Sequence, residues 1–369
     1  MSKTINRHYN VDFLKFVFVI LIIFFHCVRL SWGKPILDNF PGFIRGNVCV
    51  DFFFIIGGFF LFSLMDKEED TFSFIKKKFF RLAPLLWITT IFLYIMSLYF
   101  SKIEFVFTNN ILRCLLLTHL GITNNVQMVS SVPWFVAVYF WVSIFYFYLS
   151  KILNKKTLNI VIFLIVYIGF CIHLKAMGIY IKETGLATGG VSASFGIINL
   201  GVLRGLIGFG LGYIIAMIYK SEFLFNVSRI GKLFISLIEI LIVYFLINHL
   251  IFTDHMPCGS LFTFSFLFSV LFYCFLINKG VISKICNNKW IGYLGNYSYA
   301  IYIIHWIVIR FFKLVVYNNH HHYYNHHQMT LVIYIIITTI VLSIFLHHLV
   351  EKPAYKYLRN KFCTKISSK

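Results

Sequence analysis

Charge is scarce in this chain, and acid especially so. Of its 369 residues only 12% are Asp, Glu, Lys or Arg, with 13 acidic against 33 basic side chains. A soluble protein carries about 25% charged residues, so an ordinary globular surface is excluded. Proline is also sparse, at 6 residues, and no polar linker or soluble segment interrupts the apolar runs. The eight cysteines (27, 49, 114, 171, 258, 274, 286 and 363) show no metal-binding or redox spacing. Cys27 and Cys49 come near one membrane face without a pattern that demands a disulfide. Lys3 and Arg7 precede the first apolar run, but no small-residue cleavage site follows it, which predicts an uncleaved first helix rather than a signal peptide.

What is abundant is apolar surface. Hydrophobic residues make up 59% of the chain, Phe alone numbers 44 and Tyr 22, and the mean hydropathy is +0.82. One soluble core cannot bury that many large side chains. The composition predicts an all-α polytopic membrane protein, since a helix satisfies its own backbone in lipid. Runs of about 20 apolar residues suffice to span, and about ten occur: 12–30, 46–65, 79–100, 133–152, 157–174, 199–219, 233–253, 259–278, 297–317 and 329–350. The amphipathic region 103–122 reads as interfacial or re-entrant. The whole chain, 1–369, reads as one integral-membrane domain with a short basic tail from about 352.

The formal charge of +20 would suggest nucleic acid on a soluble chain. Here the positive-inside rule is the simpler cause. With ten spans and both termini cytoplasmic, 23 of the Lys and Arg residues fall on the cytoplasmic side and 9 on the other, while Arg204 lies within a span. That bias supports the topology.

Three places carry possible chemistry. The first span reads DFLKFVFVILIIFFH, with Lys15 and His26 eleven residues apart. They share one helix face, roughly 16 Å apart along the axis. Asp51, at the outer start of the second span, comes close to the depth of His26. A carboxylate beside an imidazole fixes its tautomer and makes it a better base. The alternative is that His26 bonds a neighbouring helix and Asp51 caps its own. Lys76, Lys77, Lys78 and Arg81 gather at the cytoplasmic mouth of the third span, where Lys78 and Arg81 share a face. They suit the phosphates of a nucleotide-type donor such as coenzyme A, or equally a topology signal in contact with anionic lipid. Gly57-Gly58 allows close helix or ligand approach.

These residues together resemble the acyltransferase 3 family, multi-spanning bacterial enzymes that move acyl groups onto surface saccharides. The family's D-x-L-(R/K)…F-H is matched by Asp12, Leu14, Lys15 and His26. VDFFFIIGGFF at 50–60 is similar to its second span, and KFFRLAP at 78–84 to its R-x-x-R-(I/L)-x-P. A tryptophan-led span resembles PWFVAVYFWVSIFYFYL at 133–149, GNYSYAIYIIHW at 295–306 resembles its late motif, and Glu351-Lys352-Pro353 its exit. The departures are lysine at 15 and 78 where many members have arginine, Gly57 where they have serine, and Val138-Tyr139 where many have glutamate.

The resemblance implies a stand-alone O-acyltransferase of the bacterial inner membrane, without an additional SGNH-type domain. It transfers an acyl group, acetyl before succinyl, from acyl-CoA to a cell-surface polysaccharide or its lipid-linked precursor. No cofactor is permanently bound. His26 is then the catalytic residue, oriented by Asp51, by direct base catalysis or an acyl-histidine relay. Lys15, Lys78 and Arg81 line the donor path, and His305, Trp134 and Ser298 are substrate contacts, with helix packing the other reading of His305. Asp12 and Glu351 are expected to pair with nearby Lys or Arg. Partners are the donor, the saccharide acceptor, membrane lipids and polysaccharide-assembly proteins, with no nucleic acid. Two rivals are a transporter or flippase for a lipid-linked sugar or acyl compound, and an inactive member serving as an assembly partner. The run HHHYYNHH at 320–327 could bind a metal, but a short polar loop rarely fixes ligand geometry, so it reads as a solvated outer loop and no metal site is expected.

Overall fold

A computed structural model describes residues 7–29, 34–67, 69–101, 116–117, 132–184, 194–195, 198–253, 260–317 and 327–363. The chain is all-α apart from two two-residue strands, β1 (Ser194–Phe195) and β2 (Ile198–Asn199), paired antiparallel. Its helices are α1 (Tyr9–Val28), α2 (Lys34–Asn39), α3 (Cys49–Met65), α4 (Thr71–Ser101), α5 (Pro133–Ile152), α6 (Lys155–Thr184), α7 (Leu200–Lys220), α8 (Arg229–Ile247) and α9 (Ser260–Ile277). Two short helices, α10 (Val281–Cys286) and α11 (Lys289–Gly292), precede α12 (Ser298–Phe311), α13 (Gln328–Leu346) and α14 (Lys352–Cys363). A 3-10 segment over Pro41–Val48 leads directly into α3.

Among the described residues, nine helical stretches are long and apolar enough to cross a membrane. They follow the predicted spans, with one exception in length: the predicted span 259–278 is a shorter apolar helix, Leu261–Ile277. The protein is a multi-pass membrane protein. Burial shows the same solvent. In α8 a narrow stripe of Ile235, Glu239, Ile242 and Leu246 is buried, while Leu233, Phe234, Leu237, Leu241 and Tyr244 are exposed. Exposed apolar side chains on every other face suit a lipid environment, not water. Most of the region 103–122 and most of the run 320–327 lie outside the described residues.

The chain divides into two compact units, one joining Met1–Phe53 to Ile214–Tyr299 and the other Phe54–Tyr213 to Ala300–Lys369. In the first, α1 is fixed at its N-terminal end by polar contacts. The Asn10 amide donates to the carbonyls of Phe275 at 2.7 Å and Ser283 at 3.3 Å. Gly295 lets the approach to α12 lie on the backbone of Asp12, where a Cβ would sit 2.7 Å from the Asp12 Cα. The middle of α1 packs through Phe18 on Phe52 and Phe268, ring centroids 4.4 and 4.9 Å apart. Arg45, 1% exposed, donates to the carbonyls of His249 and Thr253 at the end of the helix that continues α8, where carbonyls have no helical partner.

In the second unit α7 is the central element. Gly201, Gly205, Gly208 and Gly212 fall at spacings of four, three and four, hence on one face. That face meets the ring of Trp134, the side chains of Val138 and Val142, then Phe54, and finally the backbone of α3 at Ile55, Gly58 and Phe59. Close approach of helices through small residues is the ordinary device of membrane packing. Tyr146 adds a hydrogen bond from α5 to the carbonyl of Leu206, 2.8 Å.

Candidate functional site

The eight residues expected from the sequence divide between the units: Lys15, His26, Asp51 and Ser298 in the first, and Lys78, Arg81, Trp134 and His305 in the second.

In the first unit the 3-10 segment and the start of α3 run antiparallel to α1. Gly46 lies against the backbone of Leu21 and the Cβ of Phe25, and six residues later Phe52 meets Phe18. His26, in the last turn of α1, and Asp51, in the first turn of α3, therefore belong to the same half of this helix pair. His26 is partly exposed and lies edge-on to Phe25, with centroids 4.9 Å apart; Asp51 is 1% exposed. The two side chains thus differ in exposure while sharing one half of the pair. At the other end of α1, Lys15 pairs with Asp12 at 2.5 Å, and the second Asp12 oxygen accepts from Arg7 at 2.9 Å. Arg7 also donates to Asn296 at 2.6 Å. Asp12 thus holds two cations, as its position predicted. Glu351 differs: its partner is His347, 2.8 Å away in the preceding turn, rather than Lys or Arg. Ser298 is buried and donates to the carbonyl of Gly295 at 2.9 Å.

In the second unit the four cations of α4 separate. Lys77 pairs with Glu69 at 2.7 Å, and Lys76 lies over the ring of Phe72 at 4.2 Å. Lys78 points its ammonium at the face of Tyr139, 4.3 Å from the centroid, while Arg81 is exposed one turn on. The ring of Tyr139 fills the space left by Gly57, where a Cβ would sit 2.6 Å from the Tyr139 Cε2. Three departures noted in the sequence thus meet: a glycine makes room for a tyrosine whose ring then receives a lysine. His305 is fully buried, with its Nδ1 2.5 Å from the carbonyl of Tyr302, so that nitrogen carries the proton. Trp134 is buried, with the guanidinium of Arg204 5.6 Å from its ring.

Sequence reasoning missed two groups. Arg204 stood out only as a cation inside a span that was counted on neither side of the membrane, and Glu239 was passed over. Glu239 is 0% exposed, and its Oε2 accepts from the backbone N–H groups of Ile282 and Ser283 at 2.8 and 3.1 Å. Their signal is their charge within apolar runs; what they touch lies too far along the chain to be read.

Cys27 and Cys49 are free buried thiols. Among the described residues no group of three or more His, Cys, Asp or Glu side chains is placed to hold a metal. A small open pocket lies where α3 and α5 end and α6 begins, lined by Phe62, Asp66, Ser150, Lys155 and Tyr213 among others; it includes none of the eight expected residues.

No curated protein and no solved structure matches the chain. A family model described as an acyltransferase domain matches residues 8–348, a stretch that contains all eight expected residues. With nearly its whole length matched, this multi-pass membrane protein belongs to the acyltransferase 3 family and is an acyltransferase.

Proposed function

We propose that this protein transfers an acyl group, acetyl before succinyl, from acyl-CoA to a hydroxyl of a cell-surface polysaccharide or its lipid-linked precursor. It would act in the cytoplasmic membrane of a bacterium, as one membrane domain with both termini on the cytoplasmic side. The observation that carries this reading is the family match together with His26 and Asp51 in the same half of the α1–α3 pair. His26 takes the proton of the acceptor hydroxyl as that oxygen attacks the thioester carbonyl. The C–S bond breaks, the CoA thiolate leaves, and the proton returns to it. Asp51 fixes the imidazole tautomer and steadies the imidazolium that forms. Lys78 and Arg81 meet donor phosphates, and Lys15 does so only by exchanging its bond to Asp12. His305, Trp134 and Ser298 stand as substrate-side contacts. Polysaccharide-assembly proteins are the expected partners.

The test is transfer of labelled acetyl from acetyl-CoA to endogenous saccharide in membranes expressing wild type or His26→Ala at matched levels. Loss of a general base reduces the rate about 10²- to 10⁴-fold. Equal label from both removes His26 from the reaction. No label from wild type with acetyl-CoA or succinyl-CoA removes the proposed donor.

A further inference from the structure

The ring of Tyr139 is fixed independently of Lys78. α4 and α5 run antiparallel, with Phe74 stacked on Phe147 at 4.1 Å and Phe79 meeting Phe140 at 6.0 Å, so residue 139 of α5 falls at the level of residue 78 of α4. There the Tyr139 ring lies against Phe135, one turn earlier on its own helix, at 5.8 Å, and against Phe209 of α7 at 5.2 Å. Gly57 of α3 borders the same space, where a Cβ would come 2.6 Å from Tyr139 and 2.8 Å from Phe209. A ring packed between three helices has little freedom left. The Lys78 ammonium lies over it, 4.3 Å from the centroid, closer than to the ring of Phe74 on its own helix, at 5.7 Å.

What this ammonium lacks is an anion. Its neighbour Lys77 is matched by Glu69, whereas among the described residues neither Lys78 nor Arg81 is bonded to an oxygen. Lys78 is half-buried and Arg81 exposed, and the charge of Arg81 bears on both Lys78 and Tyr139. A ring face takes one side of an ammonium and leaves N–H groups to point elsewhere. Two cations held near each other without an acid suit the phosphate of a ligand. An arginine would bring a planar, pre-ordered fork to that phosphate; a lysine brings a point charge on a flexible four-carbon stem. Ordering the stem costs binding energy unless something fixes the ammonium beforehand. We propose that Tyr139 is a positioning residue for the acyl donor: its ring holds the Lys78 ammonium in place for a donor phosphate, and Gly57 supplies the space that admits the ring. The proposal rests on the acyl-CoA reading above. It makes the glycine, the tyrosine and the lysine one device rather than three separate departures.

The experiment uses the full chain purified in detergent and measures, by thermophoretic titration, the binding of coenzyme A and of pantetheine, which lacks the nucleotide and all the phosphates. Wild type should bind coenzyme A about tenfold or more tightly than pantetheine. Tyr139→Phe keeps the ring and should bind coenzyme A within about twofold of wild type. Tyr139→Leu should weaken coenzyme A about three- to tenfold and leave pantetheine unchanged. Lys78→Gln should also weaken coenzyme A alone, and adding Tyr139→Leu to it should bring no further loss, because the ring acts only through the ammonium. Losses that add, or equal losses for the two probes, overturn the positioning role, as does wild-type binding of coenzyme A by Tyr139→Leu. Tighter binding by Tyr139→Leu overturns it too, since the ring would then compete with the phosphate for the ammonium. Should Tyr139→Leu fail to fold, Tyr139→pentafluorophenylalanine keeps the shape of phenylalanine and inverts the charge pattern of the ring; coenzyme A bound as tightly by it as by Tyr139→Phe overturns the proposal instead. All these outcomes leave the donor reading standing. Wild type that binds coenzyme A no better than pantetheine, or Lys78→Gln that binds it like wild type, overturns that reading and the proposal with it.

Discussion

The contact between α7 and α3 leaves no room for a single methyl group, and Gly212→Ala makes that a measurable claim. A Cβ on residue 212 would lie 2.6 Å from the backbone nitrogen of Phe59 and 2.9 Å from the Cα of Gly58, and closer still to the carbonyl oxygen of Ile55. Relaxed non-bonded carbon contacts begin near about 3.5 Å. The obstructing atoms are backbone, which cannot rotate aside as a side chain would, so the helices must part by roughly 1 Å. Overpacking of this kind costs about 1–3 kcal/mol, and rigid backbone on the far side argues for the upper end. Alanine recovers about 1 kcal/mol through its better helix propensity. The net loss is then about 2 kcal/mol, equivalent to a fall of about 4–8 °C in Tm by the scaling of 150–250-residue domains. The buried thiols Cys27, Cys49 and Cys274 provide the assay, since a thiol-reactive fluorophore reports their exposure as detergent-solubilised protein is heated. Gly231→Ala is the control. It sits in the first turn of α8, where the nearest atoms to a Cβ belong to the side chains of Val227, at 3.1 Å, and Ser228, at 3.7 Å, and its Tm should change by a degree or two at most, as expected for about 0.5 kcal/mol. Gly212→Ala unfolding at or above the wild-type temperature would refute the reasoning, as would equal shifts for the two variants.

Two further outcomes follow from other contacts. Removing Glu239 leaves two buried N–H groups of α10 without their acceptor, so Glu239→Ala should lower stability by about 2–5 kcal/mol and Glu239→Gln, which keeps an acceptor oxygen, by clearly less; equal losses in thermal unfolding would refute the capping role. His8 precedes α1, with its ring 3.5 Å from the Tyr219 hydroxyl. Burial lowers its pKa below the ordinary 6.5, outweighing the opposite pull of Asp12. Its neutral form is therefore favoured in the folded state. Its contribution is complete above about pH 6.5 and is lost progressively as the pH falls below that value. His8→Gln should flatten the Tm-against-pH curve in that window, and superimposable curves would remove His8 as the cause.

The spans were legible because membrane helices must be long and apolar, and lysine and arginine bias marks their ends. The boundaries were less so. The apolar run of the third span begins at 79, yet α4 starts eight residues earlier at Thr71, since a helix does not end where its apolar face does. There Asp70 accepts from the Ser73 N–H at 2.9 Å and caps the added turns. The predicted span 297–317 is entered through two short helices and a 3-10 turn, because Gly292 and Gly295 press that segment onto the backbone of Tyr9 and Asp12. Proximity in sequence gave His26 and Lys15 their shared face, and depth along neighbouring spans gave Asp51 its place. The meeting of Gly57, Tyr139 and Lys78, and of Arg204 with Trp134, could not be read. Those residues come from different helices, and the register of α3 and α5 on the glycine face of α7, with α6 on another face of it, decides who meets whom.

The amide of Asn10 bonds to a carbonyl 265 residues further along the chain, and this has a consequence for biosynthesis. Everything from Phe54 to Tyr213, the larger part of the second unit, is made before these polar partners of α1 exist. At about 5–20 residues per second, the first helix waits between about ten seconds and one minute for Phe275 and Ser283 to emerge. During that interval its amide, together with the backbone that Gly292 and Gly295 later cover, has no native partner in the membrane. Assembly of the unit that holds His26 and Asp51 is therefore late, set by the synthesis of the final third of the chain rather than by the first helix to be inserted. A ribosome pause between α1 and α9 prolongs the exposure of exactly those polar groups on which the first unit closes.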